Sequence, residues 1–247
     1  EKIQLTMRVK FFKFIVLFFM VSFSMTAQEY EKMNGAWNAV FLDHGLSDKF
    51  SLRSEFHLRT VSFLSVWNQQ IFRPSITYNT SKNIKWTVGY SYIKNFNADV
   101  TASPRIRMEH NFWEQLVYNT PLKKGLISSR LRLVHRFREN LPLQEDKALR
   151  SFDFASRIRY RLTYQRLLTS ADAKIPINLV AFDEVFVFLN PNGIPFRFNF
   201  NWTFFGLKFQ LNKKMVLTSG FQKNTLKISD DLYSKTRLWI NTLIFKL

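Results

Sequence analysis

Residues 196–205 read FRFNFNWTFF, and in this stretch rings and polar side chains alternate. The rings are Phe196, Phe198, Phe200, Trp202 and Phe204. The polar residues between them are Arg197, Asn199, Asn201 and Thr203. Because successive side chains of a strand point to opposite faces, a strand here has one aromatic face and one polar face. We expect the aromatic face to meet lipid and the polar face to meet an interior that contains water.

The same alternation recurs along most of the chain. Clear examples are 49–60 (KFSLRSEFHLRT), 84–93, 127–138 (ISSRLRLVHRFR) and 152–164 (FDFASRIRYRLTY). These runs last about 11 to 16 residues, whereas strands of soluble proteins commonly have about 5 to 6. A strand tilted by about 45° needs about 9 to 11 residues to cross the hydrocarbon layer of a membrane. The length of the runs therefore predicts membrane-spanning strands.

The connections between the runs alternate in length. Short ones occur near 44–48, 80–83, 121–124 and 212–214, with a slightly longer one at 169–175. Longer ones occur near 61–66, 97–106, 139–149, 190–195 and 227–234. This alternation is typical of a transmembrane barrel. We therefore predict an all-β protein that forms a closed antiparallel transmembrane β-barrel. The alternative is a soluble sandwich, which would bury the rings between two sheets.

Eleven strands can be recognised in the sequence. They start near 35, 49, 67, 84, 107, 125, 150, 176, 196, 215 and 235. Bacterial single-chain barrels have even numbers of strands, so we predict twelve, with ten as the alternative. The apolar residues of this segment lie at even positions up to Phe204 and at odd positions after Gly206. This switch predicts a bulge near Phe204 to Gly206.

The first 27 residues read as an export signal. From Met7, a basic start is followed by the short apolar run FIVLFFMVSF (14–23) and by small residues that end at Ala27. This pattern predicts a cleavable signal peptide, with residues 1–6 as an upstream extension. We assign 1–27 to the extension and signal peptide and 28–247 to the barrel, and we expect the bacterial outer membrane of a Gram-negative cell.

Composition narrows the classes of partner and site. The 247 residues include no cysteine, which excludes a disulfide framework and a Cys-based metal site. The formal net charge of +18 raises nucleic acid as a partner. The arginines lie along strand faces and not in a tail, so we expect no nucleic-acid partner.

The alternation assigns residues to the two faces of the barrel. The lumen-facing basic residues are Arg53, Arg59, Arg73, Arg130, Arg132, Arg136, Arg138, Arg157, Arg159 and Arg161. The lipid-facing aromatic residues are Trp86, Tyr90, Tyr92, Phe198, Phe200, Trp202, Trp239 and Phe245. Two interpretations of the arginines stay open: a plug of paired charges, or a passage that attracts anions. The inward acids that we expect beside them are Glu55, Asp153, Glu114 and Asp183.

A search for catalytic groups finds no constellation. The four histidines have no serine two residues further on, and no glycine-rich phosphate loop or metal-ligand cluster occurs. We expect no enzymatic activity, no metal and no cofactor. A hydrolase of outer-membrane lipid is a distant alternative.

Three hairpins share a polar turn with lysine, an apolar residue and an alternating strand: 46–56 (LSDKFSLRSEF), 80–92 (TSKNIKWTVGYSY) and 211–221 (LNKKMVLTSGF). With GAWNAV (35–40), RLRLVHRF (130–137) and the closing LWINTLIFKL (238–247), the chain resembles an uncharacterised family of bacterial outer-membrane proteins, a domain of unknown function with a porin-like barrel. The resemblance implies location and architecture, and no reaction. The closing strand also resembles the signal that barrel-insertion machinery recognises.

From these observations we expect an integral outer-membrane barrel, porin-like, that passes or binds small anionic solutes through an Arg-rich lumen. Its partners would be outer-membrane lipid, the insertion machinery and small anionic solutes. The alternative is a closed structural barrel whose external loops bind a partner.

Overall fold

The protein is an all-β closed barrel in a computed structural model that describes residues 28–96, 106–140, 151–170, 172–189, 197–227 and 232–247. Eleven strands form the barrel within these ranges. They are β1 (Gln28–Gly45), β2 (Phe50–Val61), β3 (Val66–Asn79), β4 (Ile84–Asn95), β5 (Arg107–Leu122), β6 (Gly125–Asn140), β7 (Ser151–Leu167), β8 (Ile177–Leu189), β9 (Arg197–Gln210), β10 (Met215–Lys227) and β11 (Leu232–Lys246). The signal peptide predicted for 1–27 lies outside the described residues.

Each strand pairs with its sequence neighbours, and β1 pairs with β11 to close the barrel. All neighbouring pairs are antiparallel except β1 and β11, which are parallel. An odd number of strands requires one such pair, because the first and last strands then run in the same direction. The predicted closed barrel is confirmed. Its strand count is eleven and not the predicted twelve or ten, and its first strand begins at Gln28 and not near residue 35.

The strands contain 12 to 18 residues each, as the sequence runs indicated. Two of the similar hairpins also have the same turn: the Ser47 hydroxyl accepts from the Phe50 amide, and the Ser81 hydroxyl accepts from the Ile84 amide, both at 3.1 Å. The connection between β2 and β3 is only residues 62–65, so the longer loop predicted near 61–66 is wrong. The loops predicted near 97–106, 139–149 and 190–195 fall largely outside the described residues. The loop predicted near 227–234 is shorter than expected, because β10 ends at Lys227 and β11 begins at Leu232.

The register shows which residues share a face, because directly paired residues on neighbouring strands point to the same side. Phe205, Phe221 and Trp239 form one row across β9, β10 and β11. This row points outward, with Phe221 74% exposed and Phe205 62% exposed. Glu184 and Trp202 form part of the opposite row, in which Glu184 is 0% exposed and Trp202 9% exposed. The second row therefore lines the lumen.

The faces of FRFNFNWTFF are the reverse of the prediction for every side chain that the structure describes. Phe200 pairs with Phe186 and Trp202 pairs with Glu184, so both rings point into the lumen and their lipid-facing assignment is wrong. Asn201 and Thr203 point outward. The side chain of Phe198 lies outside the described part. The physical reason is the register with β8, which places these rings beside the buried carboxylate of Glu184.

The predicted bulge near Phe204 to Gly206 is also absent from this described stretch of β9. Pairing with β10 is continuous from Phe200 to Gln210. The register shift between β8 and β9 lies instead between Phe186 and Val187. The apolar residues therefore change from even to odd positions without a bulge. The rings at even positions fill the lumen, and the apolar residues at odd positions lie on the outer face.

The remaining predicted aromatic residues lie on the outer face. They are Trp86, Tyr90, Tyr92, Trp239 and Phe245. Their contact with lipid stays a prediction. Among the described residues, no helix has the length and apolar character needed to cross a membrane.

Candidate functional site: the basic lumen

The ten predicted arginines lie on the inner wall of the barrel. They come from β2, β3, β6 and β7: Arg53, Arg59, Arg73, Arg130, Arg132, Arg136, Arg138, Arg157, Arg159 and Arg161. On β6 and β7 the register places Arg130 opposite Arg161 and Arg132 opposite Arg159. These two strands form one hairpin, so their arginines make a ladder of positive charge on a single wall.

Glu184 on β8 is the main acceptor for this ladder. Its carboxylate accepts hydrogen bonds from Arg159 Nε at 2.7 Å and from Arg161 Nε at 2.8 Å, and it also pairs with Arg130. With three guanidinium partners and 0% exposure, Glu184 is an anion buried entirely among cations. Sequence reasoning missed it, because the alternation of 176–189 is poor.

The predicted inward acid of this segment, Asp183, lies on the other side of β8. It accepts hydrogen bonds from Asn201 at 2.8 Å and from Thr203 at 2.9 Å on the outer face. Glu114 also points outward, opposite Val88 and Leu133. Both inward assignments are therefore wrong, because neighbouring strands fix the register and these acids have the parity of the outer face.

Other arginines pair with carboxylates at separate points along the wall. Arg136 makes a two-pronged contact with Glu109, with both nitrogen–oxygen distances at 2.8 Å. Arg73 contacts Glu55 at 3.0 Å, and Glu55 also contacts His57 at 2.9 Å. A further pair lies near the other end of the barrel: Arg53 with Asp43, at 2.6 and 2.7 Å. Such two-pronged pairs fix the side chains in one geometry.

Arg132 is held by neutral groups. It donates two hydrogen bonds to Gln115 Oε1, at 3.0 and 2.6 Å, and its Cζ lies 4.2 Å from the centre of the Trp113 ring. Trp113 in turn packs against Gly89, where a Cβ would lie only 2.3 Å from the indole. The absence of a side chain at Gly89 on β4 therefore leaves room for the Trp113 ring of β5, which supports Arg132 on β6.

The described inner wall carries more positive than negative charge. The carboxylates on it are Asp43, Glu55, Glu109, Asp153 and Glu184. The ten predicted arginines exceed these five carboxylates by five charges, and Arg107, Lys85, Lys208 and Lys246 on the same face add further positive charge. Buried cations without a partner are costly, so this interior is suited to anions or water.

At mid-height the side chains from opposite walls meet. Eleven strands about 4.8 Å apart and tilted by about 40° give a backbone radius of roughly 11 Å, which long side chains can bridge. Arg59 Cζ from β2 lies 3.9 Å from the Trp37 ring centre and 5.9 Å from that of Trp202. Arg159 Cζ from β7 lies 5.0 Å from Trp202. Strands β2 and β7 lie nearly opposite each other around the barrel.

We call this arrangement the aromatic layer: Trp37, Phe186 and Trp202 with Arg59 and Arg159. Trp202 packs edge-to-face against Trp37 at 5.4 Å and against Phe186 at 4.8 Å between ring centres. Guanidinium groups on ring faces gain cation–π energy when water is excluded. Phe186 is 0% exposed and Arg159 is 5% exposed. Within this layer, side chains from opposite walls of the described barrel therefore meet.

The described parts of the chain contain no group of three or more His, Cys, Asp or Glu residues placed to hold a metal ion.

No curated protein matches the chain, and no solved structure matches it. A family model described as a protein of unknown function, DUF2490, matches residues 34–233, which include all or part of every strand from β1 to β11. This closed barrel with a basic, aromatic-filled lumen belongs to the DUF2490 family.

Proposed function

We propose that the protein is an integral outer-membrane barrel that is closed at mid-height and binds small anions in its basic interior instead of passing them freely. The observation that carries the proposal is the aromatic layer, in which Trp202 lies between Arg59 and Arg159. A porin has a lumen filled with water. A layer of packed rings and guanidinium groups argues against such a passage at this height.

The outer face supports the membrane location. Large apolar side chains lie exposed around the barrel, among them Trp86, Phe112, Leu131, Phe205 and Phe221. In water, a continuous apolar surface of this kind promotes aggregation. In a bilayer it is the outward-facing apolar band that transmembrane barrels present to lipid.

The excess positive charge of the inner wall supports anion binding. Its arginines point into the lumen, so they are poorly placed to bind a nucleic acid, and we expect no such partner. We also expect no catalytic activity. The expected partners are outer-membrane lipid, small anionic solutes and, through the closing strand β11, the barrel-insertion machinery.

Cell fractionation tests the location and the barrel together. Expressed in a Gram-negative host, the chain should be recovered with the outer membrane. Because closed barrels resist unfolding by detergent at room temperature, the folded protein should migrate differently on a gel before and after boiling. Recovery in the soluble periplasmic fraction, with no effect of boiling, would contradict the proposal.

A further inference from the structure

A niche on the inner wall lies beyond the aromatic layer, toward the end of the barrel where β6 and β7 are joined by residues 141–150. At its centre is Ala155, whose side chain is much shorter than those of the neighbouring arginines. Ala155 lies opposite Arg136, and Arg136 lies opposite Asn111. Arg138 and Arg157 each lie two residues along their strands from this row. We call these five residues the Ala155 niche.

Three polar atoms in the niche are buried and have no hydrogen-bond partner among the described residues: Arg138 Nε, Arg157 Nε and Asn111 Oδ1. Buried polar groups almost always have partners. Arg136 satisfies this rule, because its Nε and Nη2 both donate to Glu109. The niche therefore has two unpaired Nε–H donors, on the cations Arg138 and Arg157, and one unpaired acceptor, Asn111 Oδ1.

The floor of the niche is part of the aromatic layer. Arg157 Cζ lies 5.5 Å from the centre of the Phe186 ring, which packs against Trp202. A solute that enters from this end of the barrel would stop at the floor. Arg157, itself only partly buried, would then meet the solute before Arg159, which Glu184 already holds.

We propose that the Ala155 niche binds a small oxyanion that carries a hydroxyl proton, with hydrogen phosphate as the simplest example. Its charged oxygens would accept hydrogen bonds from Arg138 and Arg157, and its hydroxyl would donate to Asn111 Oδ1. The inference rests on the proposed function, because the aromatic layer must stop a solute at the niche. Sulfate at neutral pH has no proton to donate and would leave Asn111 Oδ1 unpaired.

Titration calorimetry on the folded full chain in detergent tests this site, with inorganic phosphate and sulfate as probes. We expect phosphate to bind at least about tenfold more tightly than sulfate, since an unpaired buried acceptor is penalised by about that factor or more. Arg157→Gln should weaken phosphate binding at least about tenfold by the same arithmetic. Arg166→Gln removes one charge from an exposed position on the outer face and should leave phosphate binding unchanged.

A second variant covers the case in which Arg157→Gln does not fold. Ala155→Leu keeps every charge and fills the niche, so it should also weaken phosphate binding at least about tenfold. A folded wild-type barrel that binds no phosphate would overturn the niche, and so would Ala155→Leu with wild-type affinity.

Measuring the conductance of the same preparations distinguishes a failure of the niche proposal from a failure of the proposed function. A wild-type barrel that blocks ions and binds no phosphate overturns the niche alone. Free passage of ions contradicts the proposed blocked lumen. In that case, phosphate binding alone shows whether the niche is a binding site.

Discussion

Replacing Glu184 by glutamine is expected to lower the free energy of unfolding by about 3–5 kcal/mol, the usual cost of removing one partner from a buried charge cluster. Glu184 is fully buried and holds Arg130, Arg159 and Arg161. The glutamine keeps the shape but loses the charge, which leaves three neighbouring cations to repel one another. Urea titration of the folded barrel in detergent, followed by tryptophan fluorescence, would measure the change.

Asp48→Asn is the matched control. It removes one carboxylate charge from the exposed turn between β1 and β2, where surface substitutions usually change stability by no more than about 0.5 kcal/mol. Equal unfolding midpoints for Glu184→Gln and the wild type would show that Glu184 does not hold the arginine ladder together.

Replacing Trp202 by alanine is expected to open the lumen. The ring lies between Arg59 and Arg159, so its removal leaves a gap in the aromatic layer that water can fill. The loss of a buried tryptophan should lower the free energy of unfolding by about 3–5 kcal/mol. In a planar bilayer the variant should show ion currents with a preference for anions, because arginines line the new gap.

Trp239→Ala controls for the loss of an indole. Trp239 lies on the outer face and is 39% exposed, so its removal opens no route through the barrel. A Trp202→Ala barrel that is folded and as tight to ions as Trp239→Ala would show that the aromatic layer is not the barrier.

The arginine wall could be predicted from the sequence because its geometry is local. Arg130, Arg132, Arg157 and Arg159 lie on two consecutive strands with regular alternation, and a hairpin between such strands places same-face residues together. The strands themselves could be predicted for the same reason, since alternation and length are properties of each segment alone.

The faces of FRFNFNWTFF could not be predicted, because both faces alternate equally well and the decision depends on distant strands. Trp202 points inward because Trp37 from β1 and Arg59 from β2 meet it across the lumen. A lumen of this width accepts rings as filling, so an aromatic face does not by itself indicate lipid. The buried acid was missed for a related reason: only the register of β8 with β7 separates Glu184 from Asp183.

The electrical conductance of the wild-type barrel tests the closed lumen most directly. The purified full chain would be inserted into planar bilayers in concentrated potassium chloride and held at voltages of both signs. Since we propose that the aromatic layer closes the lumen at mid-height, we expect current no greater than that of the protein-free bilayer, while Trp202→Ala conducts. Stable, voltage-independent current steps from the wild-type protein, equal to those of Trp202→Ala, would contradict the account.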